Sequence, residues 1–395
     1  MPRDRLVELA TDYIVLLSDP HVEAASATSW DISRPHYERV HETVYQIVKD
    51  YPEGRTALDE LRSSPDNPRA YDALADFLQR RLKIDGTMIG ELSAAFSHCE
   101  EIVRIIYSAG RGHPSPPPAS PSNEQLAKLA RSLKDPAPAA PDINVIIPFR
   151  DGDGGERLRN LLAAISSLRI DAADSEVQIL VTIVESNERP HWEPVIRSSV
   201  DQYVFAANPG PFNKAWAVNC AFTALPVRGV AVCIYDGDIA ATPGFLRHGL
   251  NLLAAPEVVG LHYAGLTCLD PASSNRVATE LLDERRLTDT SAVRGFTLVD
   301  PPGGCNWATA DAYAAIGGMD ERYEGWGRED NDFVRRLRRH GDMVRSSRAI
   351  QHLYHPRPQM RSSAGSLMNL DVWEDWAAQR SIGQLDKYVT AAHAS

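Results

Sequence analysis

The sequence has no apolar run approaching the ~18 residues that a membrane-spanning helix needs, so no membrane span is expected. Positive charge is in deficit, with 41 Lys and Arg against 53 Asp and Glu and a formal net charge of −12. Such a field attracts neither nucleic acid nor an anionic membrane surface. An anionic substrate would need a local device to overcome it, either a divalent cation or a few Arg or Lys side chains. Cysteine is scarce and scattered. Cys99, Cys220, Cys233, Cys268 and Cys305 lack metal-ligand spacing, and their odd number and wide separation point to free thiols in a reducing compartment. The first ten residues are charged and lack the apolar centre of a signal peptide. A cytoplasmic protein is the expectation.

What is present is ordinary for a globular protein: 43% hydrophobic and 24% charged residues. The 395 residues exceed one ordinary core and suit two domains, or one large domain with an appendage. Residues 1–108 read as a helical bundle. Over 87–108, Ile89, Leu92, Phe96, Cys99, Val103 and Ile106 recur at three- and four-residue steps and predict one helix. Tyr71, Leu74 and Leu78 form a second stripe. Turn signals at Asp50-Tyr51-Pro52, Ser63-Ser64-Pro65 and Asp85-Gly86 separate the pieces. His36, His41 and His98 have no partners at ligand spacing and read as surface or packing residues. Residues 109–141 hold 8 of the 27 prolines and read as an extended linker, with a short helix expected over 124–133.

From residue 142 the pattern changes. Strands are expected at 143–147, 177–184, 202–205 and 230–235, with helices at 156–168 and 212–225. Such alternation predicts a mostly parallel sheet with helices on both faces, and ligands in these sheets sit beyond the carboxyl ends of the strands. There the strand at 230–235 runs into Asp236-Gly237-Asp238. Two carboxylates one residue apart can face a hard cation such as Mn²⁺ or Mg²⁺ and a ribose, and Gly237 lets backbone approach. Alone, the same tripeptide is an ordinary Asp-Gly turn. Further along come Pro302-Gly303-Gly304-Cys305-Asn306-Trp307 before a helical stretch, and then Gly325-Trp326-Gly327-Arg328-Glu329-Asp330. A helix at 333–340, a strand at 343–350, His352 and His355 follow. Glu329, Asp330 and Asp332 would also serve simply as favourable acids at a helix start. Trp326 between two glycines is harder to read as core.

In this order the motifs resemble the inverting GT-A glycosyltransferases that include β-1,4-galactosyltransferases and the transferase modules of bacterial chondroitin synthases. Pro148-Phe149-Arg150 ends the first strand, Phe212-Asn213-Lys214 opens a helix carrying Asn219, and Asp236 to Asp238, Gly303-Gly304, Gly325 to Asp330 and His355 follow. The likeness spans roughly residues 143–358. It implies an α/β, Rossmann-like GT-A domain over 142–395 behind the N-terminal helical domain, and transfer of a sugar from a UDP-sugar to an acceptor hydroxyl. It also implies site roles. Asp238, His355 and His352 would ligate Mn²⁺ or Mg²⁺, although two residues three apart on an extended segment need a local turn to share an ion. Pro148, Phe149, Arg150, Glu185, Phe212, Asn213, Lys214, Asp236, Gly237, Gly304 and Trp326 would contact the donor. Asp330 would be the general base and Glu329 would orient the acceptor. A segment at 357–366 would close over the donor. Relatives choose their sugar with an aromatic residue before the Gly-Gly pair. This chain has Pro301-Pro302 there, so galactose is not carried over. The acceptor, whether glycan, peptide or small molecule, is open. So is the role of the N-terminal bundle, which suits acceptor binding, dimerisation or contact with a partner protein. Two other readings stand beside this one. One is a sugar nucleotidyltransferase, against which the loop Asp151-Gly152-Asp153-Gly154-Gly155 is acidic. The other is an inactive transferase fold serving as a carbohydrate-binding or scaffold protein.

Overall fold

The computed structural model describes residues 1–108, 122–151, 155–288, 293–356, 359–363, 365–373 and 381–388. Residues 109–121 of the expected linker, and residues 152–154 of the glycine-rich loop, lie outside the described residues. Contacts divide the chain into two compact units, residues 1–114 with 291–299, and residues 115–290 with 300–395.

The first unit is built from helices α1 (Arg3–Ser18), α2 (Pro20–Ala25), α3 (Ala27–Val48), α4 (Pro52–Ser63), α5 (Pro68–Ile84), α6 (Gly86–Ala95) and α7 (Cys99–Ile102). Asp19, Ser26, Asn67 and Asp85 accept backbone N–H bonds at the starts of α2, α3, α5 and α6, as N-caps do. The helices bury Leu6, Ile14, Leu16, Tyr37, Leu58 and Leu74. One expectation fails here. Residues 87–108 are not a single helix: α6 ends at Ala95, His98 takes a left-handed conformation, and Ile105–Ser108 form strand β1. β1 pairs antiparallel with strand β8 (Gly295–Val299), Ile105 opposite Leu298. A short apolar run fits either period, and a partner 190 residues away settled which one formed. The sequence placed 295–299 with the C-terminal domain, but this strand clusters with the N-terminal unit.

The second unit carries strands β2 (Ile143–Phe149), β3 (Ile179–Glu185), β4 (Gln202–Phe205), β5 (Ala231–Tyr235), β6 (Ile239–Ala240), β7 (Val258–Leu269), β9 (Cys305–Thr309) and β10 (Asp342–His352). Its helices are α8 (Asn123–Ser132), α9 (Glu156–Ser175), α10 (Glu193–Ile196), α11 (Lys214–Thr223), α12 (Phe245–Leu253), α13 (Pro271–Leu282), α14 (Ala310–Ala315) and α15 (Glu329–His340). The strand order is β7-β9-β5-β2-β3-β4. β5, β2, β3 and β4 are parallel, as the alternating pattern predicted, and β2 and β3 are buried along their whole length. β9 runs antiparallel between β5 and β7, and β10 lies parallel to β7. β7 carries Gly260, where a Cβ would lie 2.5 Å from the Trp307 carbonyl oxygen, so glycine admits β9 at that point. All five cysteines are buried free thiols. Among the described residues no helix is long and apolar enough to cross a membrane.

Two registers position the site. Tyr235 pairs with Cys305, which sets Gly304 beside Asp236, and the Asp236 amide donates to the Gly304 carbonyl at 3.0 Å. The short β6 pairs with the end of β10, Ile239 opposite His352, which brings Asp238 to the histidines.

Candidate active site

Asp238, His352 and His355 meet beyond the end of β10. His352 Nε2 lies 3.2 Å and His355 Nε2 2.9 Å from the Asp238 carboxylate, and both rings are buried. The turn that sequence spacing demanded is there: β10 ends at His352, and the Leu353 amide donates to the Asp238 carbonyl at 2.7 Å. The chain then brings His355 round to the same carboxylate. Helices α9 and α13 hold this segment. Asn160 donates to the Tyr354 carbonyl at 3.0 Å, the Tyr354 amide donates to Ser274 Oγ at 2.6 Å, and Arg157 donates to the Pro356 carbonyl at 3.2 Å.

The donor set fits a cation. His355 Nδ1 lies 2.7 Å from the Pro356 carbonyl oxygen, an acceptor, and 3.2 Å from Arg157 Nη2, a donor. In the tautomer that donates from Nδ1 to Pro356, Nε2 turns a lone pair toward Asp238 Oδ2, 2.9 Å away. Two lone pairs facing each other repel, and a positive charge between them removes the conflict. The three ligand atoms lie within 4.8 Å of one another. One carboxylate and two imidazoles favour a transition ion such as Mn²⁺ over Mg²⁺, which prefers oxygen ligands. A backbone acceptor on the far nitrogen is the usual support of a ligating histidine.

Beside this set, Lys214 bridges two carboxylates. Its Nζ is 2.8 Å from Asp236 Oδ1 and 3.1 Å from both Asp330 oxygens. Burial works against the ammonium charge, but Asp236, Asp330 and Glu329 outweigh it and hold the pKa well above the usual lysine value. Burial also pushes Asp236 up to about 6, with Asp330 and Asp238 adding to the rise and Lys214 opposing it. Asn306, on β9, donates to the Pro302 carbonyl at 2.8 Å and to Asp330 Oδ1 at 3.3 Å. A Cβ at Gly303 would lie 2.5 Å from Asp330 Oδ2, so glycine keeps that side of the oxygen open. Glu329, half-buried at the start of α15, is pushed up to about 8, first by burial and then by the Asp330 charge. Trp326 is half-buried between Gly325 and Gly327, whose φ angles of 74° and 98° favour glycine. Asn369 donates to the Gly327 carbonyl at 3.0 Å and the Gly325 amide to the Phe212 carbonyl at 2.8 Å, which pins the loop.

Several residues expected to contact a donor do something else with their polar atoms. Arg150 donates to the carbonyls of Ser186, Gly210 and Asn208, with Phe212 under its guanidinium. Glu185 is fully buried, and accepts from the His191 and Trp192 amides and the Tyr203 hydroxyl. Asn213 caps α11 through the Trp216 amide and donates to the Glu321 carbonyl and to Tyr388 Oη. A buried polar group must find partners, and here backbone supplies them. These three therefore hold the site's loops. Gly237 is not sterically required by its neighbours, since a Cβ there meets Leu161 at 3.4 Å. Gly304, at φ 86°, serves its turn. Pro148 and Phe149 lie buried at the end of β2. In the expected closing segment Arg357, Pro358 and Ala364 lie outside the described residues, and Arg361 pairs with Leu367 in an antiparallel bridge. Sequence reasoning missed Asn306, Arg157, Asn160 and Ser274, none of which carries a local signal.

Residues 302–358 match a family model described as the N-terminal domain of galactosyltransferase. The matched segment contains Gly303-Gly304, the run from Gly325 to Asp330, and both histidines, so the resemblance to galactosyltransferases holds where the site is densest. Similar solved structures include the catalytic domain of Drosophila β1,4-galactosyltransferase 7 with xylobiose, at 17% identity, covering 62% of this chain and 83% of that one, with a TM-score of 0.38. Another is glucosyl-3-phosphoglycerate synthase from Mycobacterium tuberculosis with Mn²⁺, uridine diphosphate and phosphoglyceric acid, at 13% identity, covering 63% and 80%, with a TM-score of 0.35. No curated protein matches the chain in sequence.

Proposed function

We propose that this protein is a metal-dependent inverting glycosyltransferase that moves a sugar from a UDP-sugar to an acceptor hydroxyl. The carrying observation is the placement of a carboxylate and two imidazoles fit for a divalent ion beside Asp236 and Asp330, which share one lysine. The galactosyltransferase match over 302–358 agrees with it.

Asp238, His352 and His355 would hold a divalent ion, which when bound would offset the charge that grows on the departing nucleoside diphosphate. Asp330 takes the acceptor proton as the acceptor oxygen bonds to the anomeric carbon and the bond from that carbon to the diphosphate oxygen breaks. One displacement inverts the centre. Lys214 contacts both Asp330 oxygens and Asn306 contacts Oδ1, and the face of Oδ2 beside Gly303 receives the acceptor hydroxyl. Glu329, whose carboxyl holds its proton near neutral pH, donates a hydrogen bond that orients the acceptor. Asp236 contacts the donor ribose and Trp326 lies over the donor sugar. Five buried free thiols suit work in a reducing compartment such as the cytoplasm.

The test is a panel of UDP-sugars with Mn²⁺, read as UDP release with and without glycoside acceptors. Asp238→Asn should abolish Mn²⁺ binding and turnover together. Asp330→Asn should keep Mn²⁺ and UDP binding and lower kcat by about 10²- to 10⁴-fold. Tight UDP–Mn²⁺ binding without turnover of any UDP-sugar would identify a binding or scaffold protein. Pyrophosphate release from UTP and a sugar phosphate would identify a nucleotidyltransferase.

A further inference from the structure

Residues 381–388 lie beyond the galactosyltransferase-like segment, and no motif assigns them a role. They nonetheless reach the two elements that build the base side of the site. The Gly383 amide donates to Glu321 Oε1 at 2.6 Å, and Trp216 Nε1 donates to the Gln384 carbonyl at 2.9 Å. Lys387 Nζ donates to the Glu321 carbonyl at 3.0 Å. Gly383 has φ 65°, and a Cβ there would lie 2.5 Å from the Asn219 carbonyl oxygen, so the segment lies hard against α11. At its end the Tyr388 hydroxyl donates to Glu324 Oε1 at 2.5 Å and accepts from Asn213 Nδ2 at 2.9 Å, while its ring stands edge-on to Trp216.

The hydroxyl therefore joins, by side chains, two elements that are also tied by the Gly325 amide on the Phe212 carbonyl and by Asn213 on the Glu321 carbonyl. Asn213 is the N-cap of α11, and the next residue is Lys214, which bridges Asp236 and Asp330. Glu324 opens the loop Gly325-Trp326-Gly327, which runs into Glu329 and Asp330. Lys214 and Asp330 meet across 116 residues of chain, and their 3.1 Å contact requires both elements to keep register. We propose that Tyr388 is a positioning residue that ties the Lys214 end of α11 to the Trp326 loop and so holds the Lys214–Asp330 pair in place. A bond to an ionised acceptor is among the stronger neutral-donor hydrogen bonds, and a cap that is itself hydrogen-bonded cannot swing.

The structural half stands on geometry alone, and the kinetic half rests on the glycosyltransferase reading. Tyr388→Phe keeps the ring on Trp216 and removes both hydrogen bonds. In the full chain, hydrogen exchange should quicken severalfold at residues 212–216 and 322–330 and stay unchanged across β2, β3 and β5. Unchanged exchange in either segment, or a uniform rise through the second unit, overturns the proposal whether or not the protein turns over. With a UDP-sugar and Mn²⁺, kcat should fall about tenfold or more with donor KM held, since misplaced reacting groups cost rate rather than ground-state binding. A rise in donor KM at constant kcat overturns it. Glu324→Ala cuts the same link from the other side, so the double variant should lose little more than Tyr388→Phe alone, and losses that multiply overturn the link. If wild-type protein shows no turnover while exchange quickens as stated, the glycosyltransferase reading fails and the positioning role stands.

Discussion

At the scale of single residues, Glu329 and Asp330 show how neighbours divide two adjacent acids. Asp330 is ion-paired with Lys214. Glu329 is not, and burial followed by the Asp330 charge lifts it from 4.5 to about 8, with Lys214 opposing. A carboxyl raised in the folded state binds its proton more tightly there than when unfolded. Its contribution to stability is present below the unfolded pKa and is lost as pH climbs through the folded one. Across roughly pH 5 to 8 the melting temperature of the wild type should fall relative to that of Glu329→Gln, and parallel curves would remove Glu329 as the raised group. Gly303 offers a second check. A methyl there would sit 2.5 Å from Asp330 Oδ2 and must push the carboxylate aside. Gly303→Ala should lower kcat by about 100-fold while leaving Mn²⁺ affinity intact, measured by steady-state kinetics and calorimetry. Asp238, His352, His355 and Asp330 stood out in the sequence because their types and order are distinctive. Asn306 was not, since an asparagine in a strand carries no signal until register puts its amide on Asp330.

At the scale of elements, the metal set depends on β6 and β10. Two residues of β6 suffice to bring Asp238 alongside His352. An ion at about 100 times its Kd stabilises the state that binds it by about 2.7 kcal/mol. Mn²⁺ should therefore raise the melting temperature, EDTA should reverse the rise, and His355→Ala should abolish it. Differential scanning fluorimetry suffices to see this. Arg150 joins the end of β2 to the loops at 186 and 208–210 through three carbonyls. Arg150→Ala leaves those oxygens to find water and should cost about 1–3 kcal/mol in urea unfolding, with little change in Mn²⁺ affinity. The parallel strands were legible from their apolar runs. β7 and β9 were not, because Gly260, Gly265 and His262 break up one and Asn306 sits inside the other.

At the scale of the whole molecule, the chain does not divide at its proline-rich stretch alone. Strand β8 arises within the C-terminal sequence yet pairs with β1, and its Phe296 and Leu298 are buried in the full chain. A fragment beginning at residue 142 would free that strand's edge and its apolar face. It should elute from a sizing column as larger or aggregated species than the full chain, and co-expression with residues 1–141 should restore normal elution. A stable fragment of unchanged association state would show that the pairing is dispensable.

The sequence by itself determined the alternating elements of the second unit, the helical character of the first, and the ordered set from Asp236 to His355. Such features depend on residue type and short-range period, which the chain displays locally. Only the tertiary structure decided which side chains share a site. Lys214 and Asp330 are 116 residues apart, and Asn306 and Asp330 are 24 apart. Strand register and helix placement set those meetings. The same packing set Arg150, Glu185 and Asn213 against neighbouring backbone as struts of the site, because a buried polar side chain bonds to whatever backbone the fold sets beside it.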